Sequence, residues 1–411
     1  MTRILHTADW HLGARLVEND RIEEHRLFLR WLLETVEKER PDVLLVAGDV
    51  FDTSNPPQSA VQLYFEFLAE LQRFAPVRVI VTGGNHDSPL TLNAPAGVLR
   101  RLDVHVHGCP PETLDNCFSE YTDAVVCAVP YLRERDVRIA SAGQSSEAVA
   151  AEIRQGIAAY YKRVLERGRE IAGHRALVTS GHLTVLGSVT SDSEREIHIG
   201  NLGAVDAACF DGFDYVALGH LHRPQQVGAS PFVRYSGSPL PLSFDDSGTE
   251  KSVVLAEFKN GSAPAVTLLP IPRFRLLARV SSTAEALRST FASLRETAGR
   301  VSQLMPWLEL TLTAADGVVG LEREIRDAAE ATGVVVLKAL LASRPHSADA
   351  PASIAAERSL AQMPEQEVFT ERLRAAGIDP SAEEGVQLTT TFVELLSRMN
   401  AAERETQETT R

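Results

Sequence analysis

The sequence predicts an α/β protein in which residues 1–270 form two packed sheets with helices on the outside. Apolar strand-like runs alternate with helix-period segments from the first residues onward. Several of these runs empty into short stretches of Asp, Asn, His and Gly, the kind of polar loop found where the carboxyl ends of α/β strands bind ligands. Near residue 271 the pattern changes to a second, shorter strand and helix series.

In order, "RILHT" reads as a strand and "RIEEHRLFLRWLLETVEKER" as an amphipathic helix. "DVLLVAG" is a buried strand, "SAVQLYFEFLAELQRF" a helix and "VRVIVTG" a third strand, giving a βαβαβ unit. "AVVCAVP" follows, then a helix from about Glu147 to Glu170, then the strands "RALVTSGH", "YVALGHLH", "VRYSGSP" and "SVVLAEF". These later strands lack intervening helices, so the second half of the sheet is expected to be mixed or antiparallel. Residues 271–343 read as a small α+β module: "RFRLLARV", "TAEALRSTFASLRET", "WLELTLT", "GLEREIRDAAEAT" and "VVVLKALL" alternate strand and helix. Residues 344–365, rich in Ala, Ser and Pro, read as a linker. In the helical tail 366–411, Leu388, Phe392, Leu395, Leu396 and Met399 form one apolar stripe, to fold back on the body or dock on another protein.

Composition narrows the function. The 411 residues hold 55 Asp plus Glu against 41 Lys plus Arg, a net charge of -14. Such a chain does not coat nucleic acid by charge alone, so any grip on it must be local, metal-assisted or shared with a partner. No apolar run approaches the roughly 20 residues of a membrane helix and no signal segment opens the chain, so a soluble, cytoplasmic protein is expected. The four cysteines show no CxxC spacing, which argues against a zinc ribbon or a disulfide framework.

The polar strand ends form a constellation. "HTADWHLG" offers Asp9 and His11, "VAGDVFD" offers Asp49 and Asp52, and "VTGGNHDSP" offers Asn85, His86 and Asp87. "TSGHLT" adds His182, and "LGHLHRP" adds His220 and His222. Taken singly, each is as readily a turn or a hydrogen-bonding group. Together, carboxylate, imidazole and amide oxygen without thiolate suit Mn, Fe, Zn or Mg. A single carboxylate can bridge two ions, which then clamp an in-line displacement at phosphorus.

The series DxH, GDxxD, GNHD, GH and GHxH resembles the calcineurin-like metallophosphoesterase family, and within it the SbcD-type nuclease subunits. "TADWHLG", "GDVFDTSNPP", "GGNHDSP", "GHLTVLGSVTSDSERE" and "YSGSPLPLSF" extend the likeness across the first domain. The resemblance implies a two-sheet sandwich flanked by helices, a small α+β capping domain and a helical tail that grips an SbcC-type SMC-like ATPase. It implies two divalent ions, Mn²⁺ first and Mg²⁺ as the alternative. One would be held by Asp9, His11, Asp49 and His222, the other by Asp49, Asn85, His182 and His220, with Asp49 as the bridge. His86 would stay uncoordinated beside the phosphate, with Asp52 orienting its ring or, in the duller reading, capping a turn. Asp87 would shape the loop, while Gly83 and Gly84 let it bend beneath the ions.

The activity so implied is ATP-dependent 3′-to-5′ exonuclease action on duplex DNA and endonuclease action on single strands and hairpins, in the nucleoid. The protein would be a homodimer within a heterotetramer, through "AVQLYFEFLAELQRF" or "NAPAGVL". A phosphatase or small-molecule phosphodiesterase of the same fold is the alternative, although "GDVFDTS" lacks the arginine of the phosphatase GDxVDRG. A silent scaffold is disfavoured by the intact ligand series. Arg15 and Arg223 are the nearest arginines in sequence for phosphate contacts, and "GSVTSDSERE" is a candidate substrate-facing loop. His6, His25, His105, His107, His174, His198 and His346 take structural or surface readings.

Overall fold

The computed structural model describes residues 1–73, 77–138, 144–190, 204–260, 262–312 and 321–341, with residues 373, 379, 382 and 387–392 of the tail. Residues 1–343 form one compact unit and 344–411 another. Strands run in chain order as β1 Thr2–Thr7, β2 Arg15–Leu16, β3 Asn19–Asp20, β4 Val43–Ala47, β5 Arg78–Thr82 and β6 Val104–His107. They continue as β7 Phe118–Glu120, β8 Ala124–Cys127, β9 Ala176–His182, β10 Tyr215–Gly219, β11 Gln225–Val227 and β12 Ser230–Tyr235. The last five are β13 Ser252–Phe258, β14 Ala265–Pro270, β15 Arg275–Ser282, β16 Leu304–Leu312 and β17 Val335–Leu341.

Two six-stranded sheets make the body, ordered β14-β13-β1-β4-β5-β6 and β11-β12-β10-β9-β8-β7. The strands β1, β4, β5 and β6 are mutually parallel, and β13 and β14 close that edge antiparallel. In the second sheet β8, β9, β10 and β12 are parallel, with β7 and β11 antiparallel at the margins. The second half is therefore mixed, as its missing helices imply.

Period-two alternation explains the layering. Ile4, Val43, Leu45 and Ile80 pack with Val126, Val178, Ala217 and Tyr215 in the core between the sheets. Their neighbours Leu5, Leu44, Val46, Val79 and Val81 turn the other way, into a core with Phe28 and Leu32 of the helix Ile22–Glu39 and Leu63, Phe67 and Leu68 of the helix Gln58–Leu71. The helix Ser146–Ala172 covers the far side of the second sheet through Ile157, Tyr161 and Val164. The order across the body is thus helix, sheet, sheet, helix. One polar pair crosses the inner core: His6 Nδ1 lies 3.0 Å from the Tyr215 hydroxyl, and burial pushes the imidazole down to about 3.

The apolar face of "AVQLYFEFLAELQRF" belongs to this core, which removes most of it as a dimer surface. Leu63, Tyr64, Phe67, Leu68 and Leu71 are buried there. Leu90 and Val98, on the helices Pro89–Asn93 and Ala96–Leu99, are 85% and 71% exposed.

The 271–343 segment builds a parallel sheet β15-β16-β17 with the helices Leu287–Val301 and Leu321–Thr332, around Leu287, Phe291, Leu308, Leu310, Ala328 and Val334. It meets the body where Leu277 and Trp307 pack on Leu16 and Phe244. Beside them Glu24 accepts from Arg21 and, at 3.0 Å, from Arg275 Nε, and the Arg275 guanidinium lies 4.0 Å over the Trp307 ring. Among the described residues no helix is long and apolar enough to cross a membrane. Of the tail stripe, Leu388 and Phe392 lie in the helical residues 387–392, whereas Leu395, Leu396, Met399 and the linker 344–365 lie outside the described residues.

Candidate metal centre

Five strand ends converge. β1 delivers Asp9 and His11, β4 delivers Asp49 and Asp52, and β5 delivers Asn85 and His86; across the sandwich, β9 ends at His182 and β10 leads to His220 and His222. The first two loops continue the strand ladder beyond its formal end. Asp9 N donates to the Gly48 carbonyl and His11 N to the Asp49 carbonyl, each at 3.0 Å. Asp9, His11, Asp49 and His220 all have left-handed backbones, with φ of 52°, 46°, 47° and 100°. Residues with side chains rarely adopt that region, and such outliers cluster at functional sites where the surroundings enforce them.

Asp87 does much of the enforcing. Its buried carboxylate accepts from Val50 N at 3.1 Å, Phe51 N at 3.0 Å and Gly84 N at 2.9 Å, tying the GDxxD loop to the GNHD loop. Burial and the nearby Asp49 charge raise it to about 6 against the pull of those bonds. Gly84 supplies clearance rather than an unusual turn, since a Cβ there would stand 2.1 Å from Asp49 Oδ1.

The side chains collect around Asp49. His182 Nε2 lies 3.2 Å from Asp49 Oδ2 and 2.9 Å from Asn85 Oδ1, and His220 Nδ1 lies 3.0 Å from the same Asn85 oxygen. His11 Nε2 is 3.7 Å from Asp49 Oδ2 and 3.2 Å from His222 Nε2. Asp9, His11 and Asp49 offer ligand atoms within 4.8 Å of one another, and so do Asp49, His182 and His220. Asp49 is common to both groups. The seven residues Asp9, His11, Asp49, Asn85, His182, His220 and His222 are thus brought into one cluster.

The tautomers make this cluster fit a cation. His182 Nδ1 sits 3.1 Å from the Ala47 carbonyl, which can only accept, so Nδ1 carries a proton and the neutral form of the ring turns its Nε2 lone pair on two oxygens. His11 repeats the arrangement: Nδ1 meets the Asp52 carboxylate at 3.2 Å, leaving Nε2 to face another ring nitrogen. Asp9 Oδ1 accepts from His220 N at 2.7 Å, while the buried Oδ2 has no hydrogen-bond partner among the described residues. Converging lone pairs in a dry pocket repel unless a positive charge sits among them. The donor set is hard to borderline and contains no thiolate, which fits divalent metal ions.

Without ions, protons take the place of that positive charge. Burial works to lower His182, but Asp49 and Asp9 outweigh it and raise the ring to about 9. Burial works to raise Asp49, but His182, His11 and His86 hold it well below the usual carboxylate range. Asp9 is pushed up to about 7 by burial. His222 is driven well below 6.5 by burial, then by His11 and Lys251, and is therefore the neutral imidazole a metal requires.

Asp52 departs from the expected geometry. Its carboxylate turns to His11, whereas its backbone carbonyl lies 2.6 Å from His86 Nδ1. The reason is the loop: Asp52 N donates to the Leu12 carbonyl, which draws the side chain toward the His11 segment. The third close group, His11, Asp52 and His86, is thereby a hydrogen-bonded set. Arg15 pairs with Glu18 on the β2-β3 hairpin, and Arg223 is exposed. Of "GSVTSDSERE", residues 191–196 lie outside the described residues.

Sequence reasoning missed Tyr131 and Arg133. The Tyr131 ring stands edge-on to His182 at 6.2 Å, and Arg133 lies over that ring and donates to the Asp87 carbonyl at 3.1 Å. A signal was available, since "YLR" follows the apolar run "AVVCAVP" as the other site loops follow theirs.

The calcineurin-like phosphoesterase family model matches residues 2–224, and a model described as the type 5 capsule protein repressor C-terminal domain matches residues 273–376. The SbcD subunit of nuclease SbcCD from Escherichia coli K12 is 36% identical over 391 residues, 94% of this chain and 96% of its own length. The proteins of the same name from Rhodobacter capsulatus and Bacillus subtilis are 40% and 36% identical over 67% and 63% of this chain, and 72% and 67% of theirs. Among solved structures, a dimetal phosphatase from Danio rerio aligns with a TM-score of 0.40 at 13% identity, over 66% of this chain and 98% of that one. With the Escherichia coli relative aligned nearly end to end and a phosphoesterase match that spans the converging strand ends, the chain belongs to the SbcD family of calcineurin-like phosphoesterases.

Proposed function

We propose that the chain is the nuclease subunit of an SbcCD-type complex and hydrolyses DNA phosphodiester bonds at a two-ion centre. The observation that carries the reading is the pair of imidazoles, His182 and His11, each held by Nδ1 so that Nε2 points into the shared Asp49 cluster. We assign one ion to Asp9, His11, Asp49 and His222 and the other to Asp49, Asn85, His182 and His220, with Mn²⁺ favoured over Mg²⁺. Bound there, the two ions would supply Lewis acidity to the phosphate and to the attacking water.

The protein's own part is placement and proton transfer. Asp49 holds both halves together, and its Oδ1 also accepts from His86 N at 2.9 Å, which fixes the catalytic loop to the bridge. With His86 Nδ1–H held by the Asp52 carbonyl, the doubly protonated ring gives its Nε2 proton to the departing sugar oxygen and is left as the neutral Nδ1–H imidazole. Asp52 orients two rings, His11 through its carboxylate and His86 through its carbonyl.

An acidic chain needs help to hold a polyanion. We assign that help to the 271–343 cap and to an SbcC-type SMC-like ATPase gripped by the 366–411 tail beyond the 344–365 linker. ATP-dependent 3′-to-5′ duplex exonuclease and single-strand or hairpin endonuclease activity follow from that assembly, in the cytoplasm. A second copy of this chain fits the exposed Leu90 and Val98, making a homodimer within a heterotetramer.

The test is cleavage of circular single-stranded DNA by the purified chain in Mn²⁺, beside hydrolysis of a phosphomonoester, with His86→Ala in both assays. DNA cutting that disappears in the variant is the expected result. Monoester hydrolysis without DNA cutting would replace this reading with a phosphatase. If the chain is silent in both and stays silent when the ATPase is added, the nuclease reading fails.

A further inference from the structure

Outside the converging loops, a buried cation is aimed at the backbone of a metal ligand. Lys251, immediately before β13, is 6% exposed, and its Nζ donates to the His222 carbonyl at 2.8 Å and to Ser238 Oγ at 3.2 Å. Its charge is met by the buried Asp246 carboxylate, on the short 3₁₀ turn Asp245–Gly248. Ser238 N donates to the same His222 carbonyl at 3.1 Å.

We propose that Lys251 is a positioning residue for His222, and that it sets the affinity of the ion assigned to Asp9, His11, Asp49 and His222. The inference rests on the two-ion reading above. A buried ion pair adds little net stability, because desolvating both charges offsets their attraction, and an apolar pair of similar volume would serve a core as well. The directional bonds of Lys251 instead hold a peptide plane. Fixing the His222 carbonyl fixes its Cα, and with it the ring that faces His11 at 3.2 Å. His222 needs such a hold: it is two residues past the left-handed His220, on a loop that has already left β10. Groups that orient ligands typically change metal affinity by about 10- to 100-fold when removed.

The experiment is calorimetric titration of the full chain with Mn²⁺, for the unaltered protein, Lys251→Met, and Lys251→Met combined with Asp246→Asn, each with a thermal melt. The double variant removes the carboxylate that the single change leaves buried and unpaired. The expected result is two ions on the unaltered chain, with one site weakened about 10- to 100-fold in both variants and the other unchanged. The double variant should melt closer to the unaltered protein without regaining the lost affinity. Two unchanged sites in either folded variant would overturn the inference, as would affinity that recovers in step with the melt, because Lys251 would then act only through stability. An unaltered chain that binds no Mn²⁺ would overturn the metal-centre reading, and this inference with it.

Discussion

At the residue scale, the informative atoms are the ring nitrogens that do not face the cluster. A histidine becomes a dependable metal ligand when its other nitrogen is occupied, because that bond selects the tautomer and the ring angle. Ala47 does this for His182 by its carbonyl, and Asp52 does it for His11 by its carboxylate. Substitutions at Asp52 and His86 should therefore part company. Asp52→Ala should weaken Mn²⁺ binding about 10- to 100-fold by freeing His11. His86→Ala should keep both ions and lower turnover by roughly 10²- to 10⁴-fold, the usual worth of a general acid. Calorimetry and single-turnover cleavage on the same preparations would separate the two. Loss of ions in His86→Ala would make His86 a ligand instead.

At the scale of elements, the parallel strands place the site as much as the motifs do. β4 is buried along its whole length, with Leu45 turned to the opposite sheet and Leu44 and Val46 to the helices. A cavity at Leu45 would loosen the contact that holds His182 against Asp49. Leu45→Ala should destabilise the fold by about 2–5 kcal/mol. Urea unfolding followed by circular dichroism reads this as a lowered midpoint at unchanged slope. A loss below about 0.5 kcal/mol, the range of surface changes, would mean that the two sheets are not packed as described.

At the scale of the molecule, the cap is joined to the body by a charge network as well as by Leu277 and Trp307. Burial works to raise Glu24, but Arg21 and Arg275 outweigh it and hold its carboxyl below the usual range. A depressed carboxylate contributes stability that is fully present above its unfolded pKa, about 4.3, and is lost as pH falls through the lower folded value. Glu24→Gln leaves two guanidinium groups without their anion and should cost about 3–5 kcal/mol at pH 7. The gap between the two proteins should narrow as pH falls below about 4.3, because Glu24 of the unfolded chain then takes up a proton that the native carboxylate accepts only at lower pH. Urea midpoints at pH 7 and at pH 3.5 check the sign. A gap that widens in acid would rule out the network as the source.

Much of this was legible in the sequence because it is local. Strand and helix periods appear in consecutive residues, and each polar strand end announces itself as a break in an apolar run. The βαβαβ opening and the seven converging side chains therefore followed from pattern and resemblance. What the sequence left open depends on partners far apart in the chain. The Asp52 carboxylate meets His11, across 41 residues, rather than His86, and Ala47 meets His182 across 135. Lys251 reaches a carbonyl, which no residue letter specifies, 29 positions back. The apolar face of the helix Gln58–Leu71 could have covered either a core or a second copy, and only packing against β4 and β5 assigned it to the core. The sequence by itself determined which groups end the strands; the tertiary structure decided which atom of each group meets which, because backbone direction and long-range packing set those pairings.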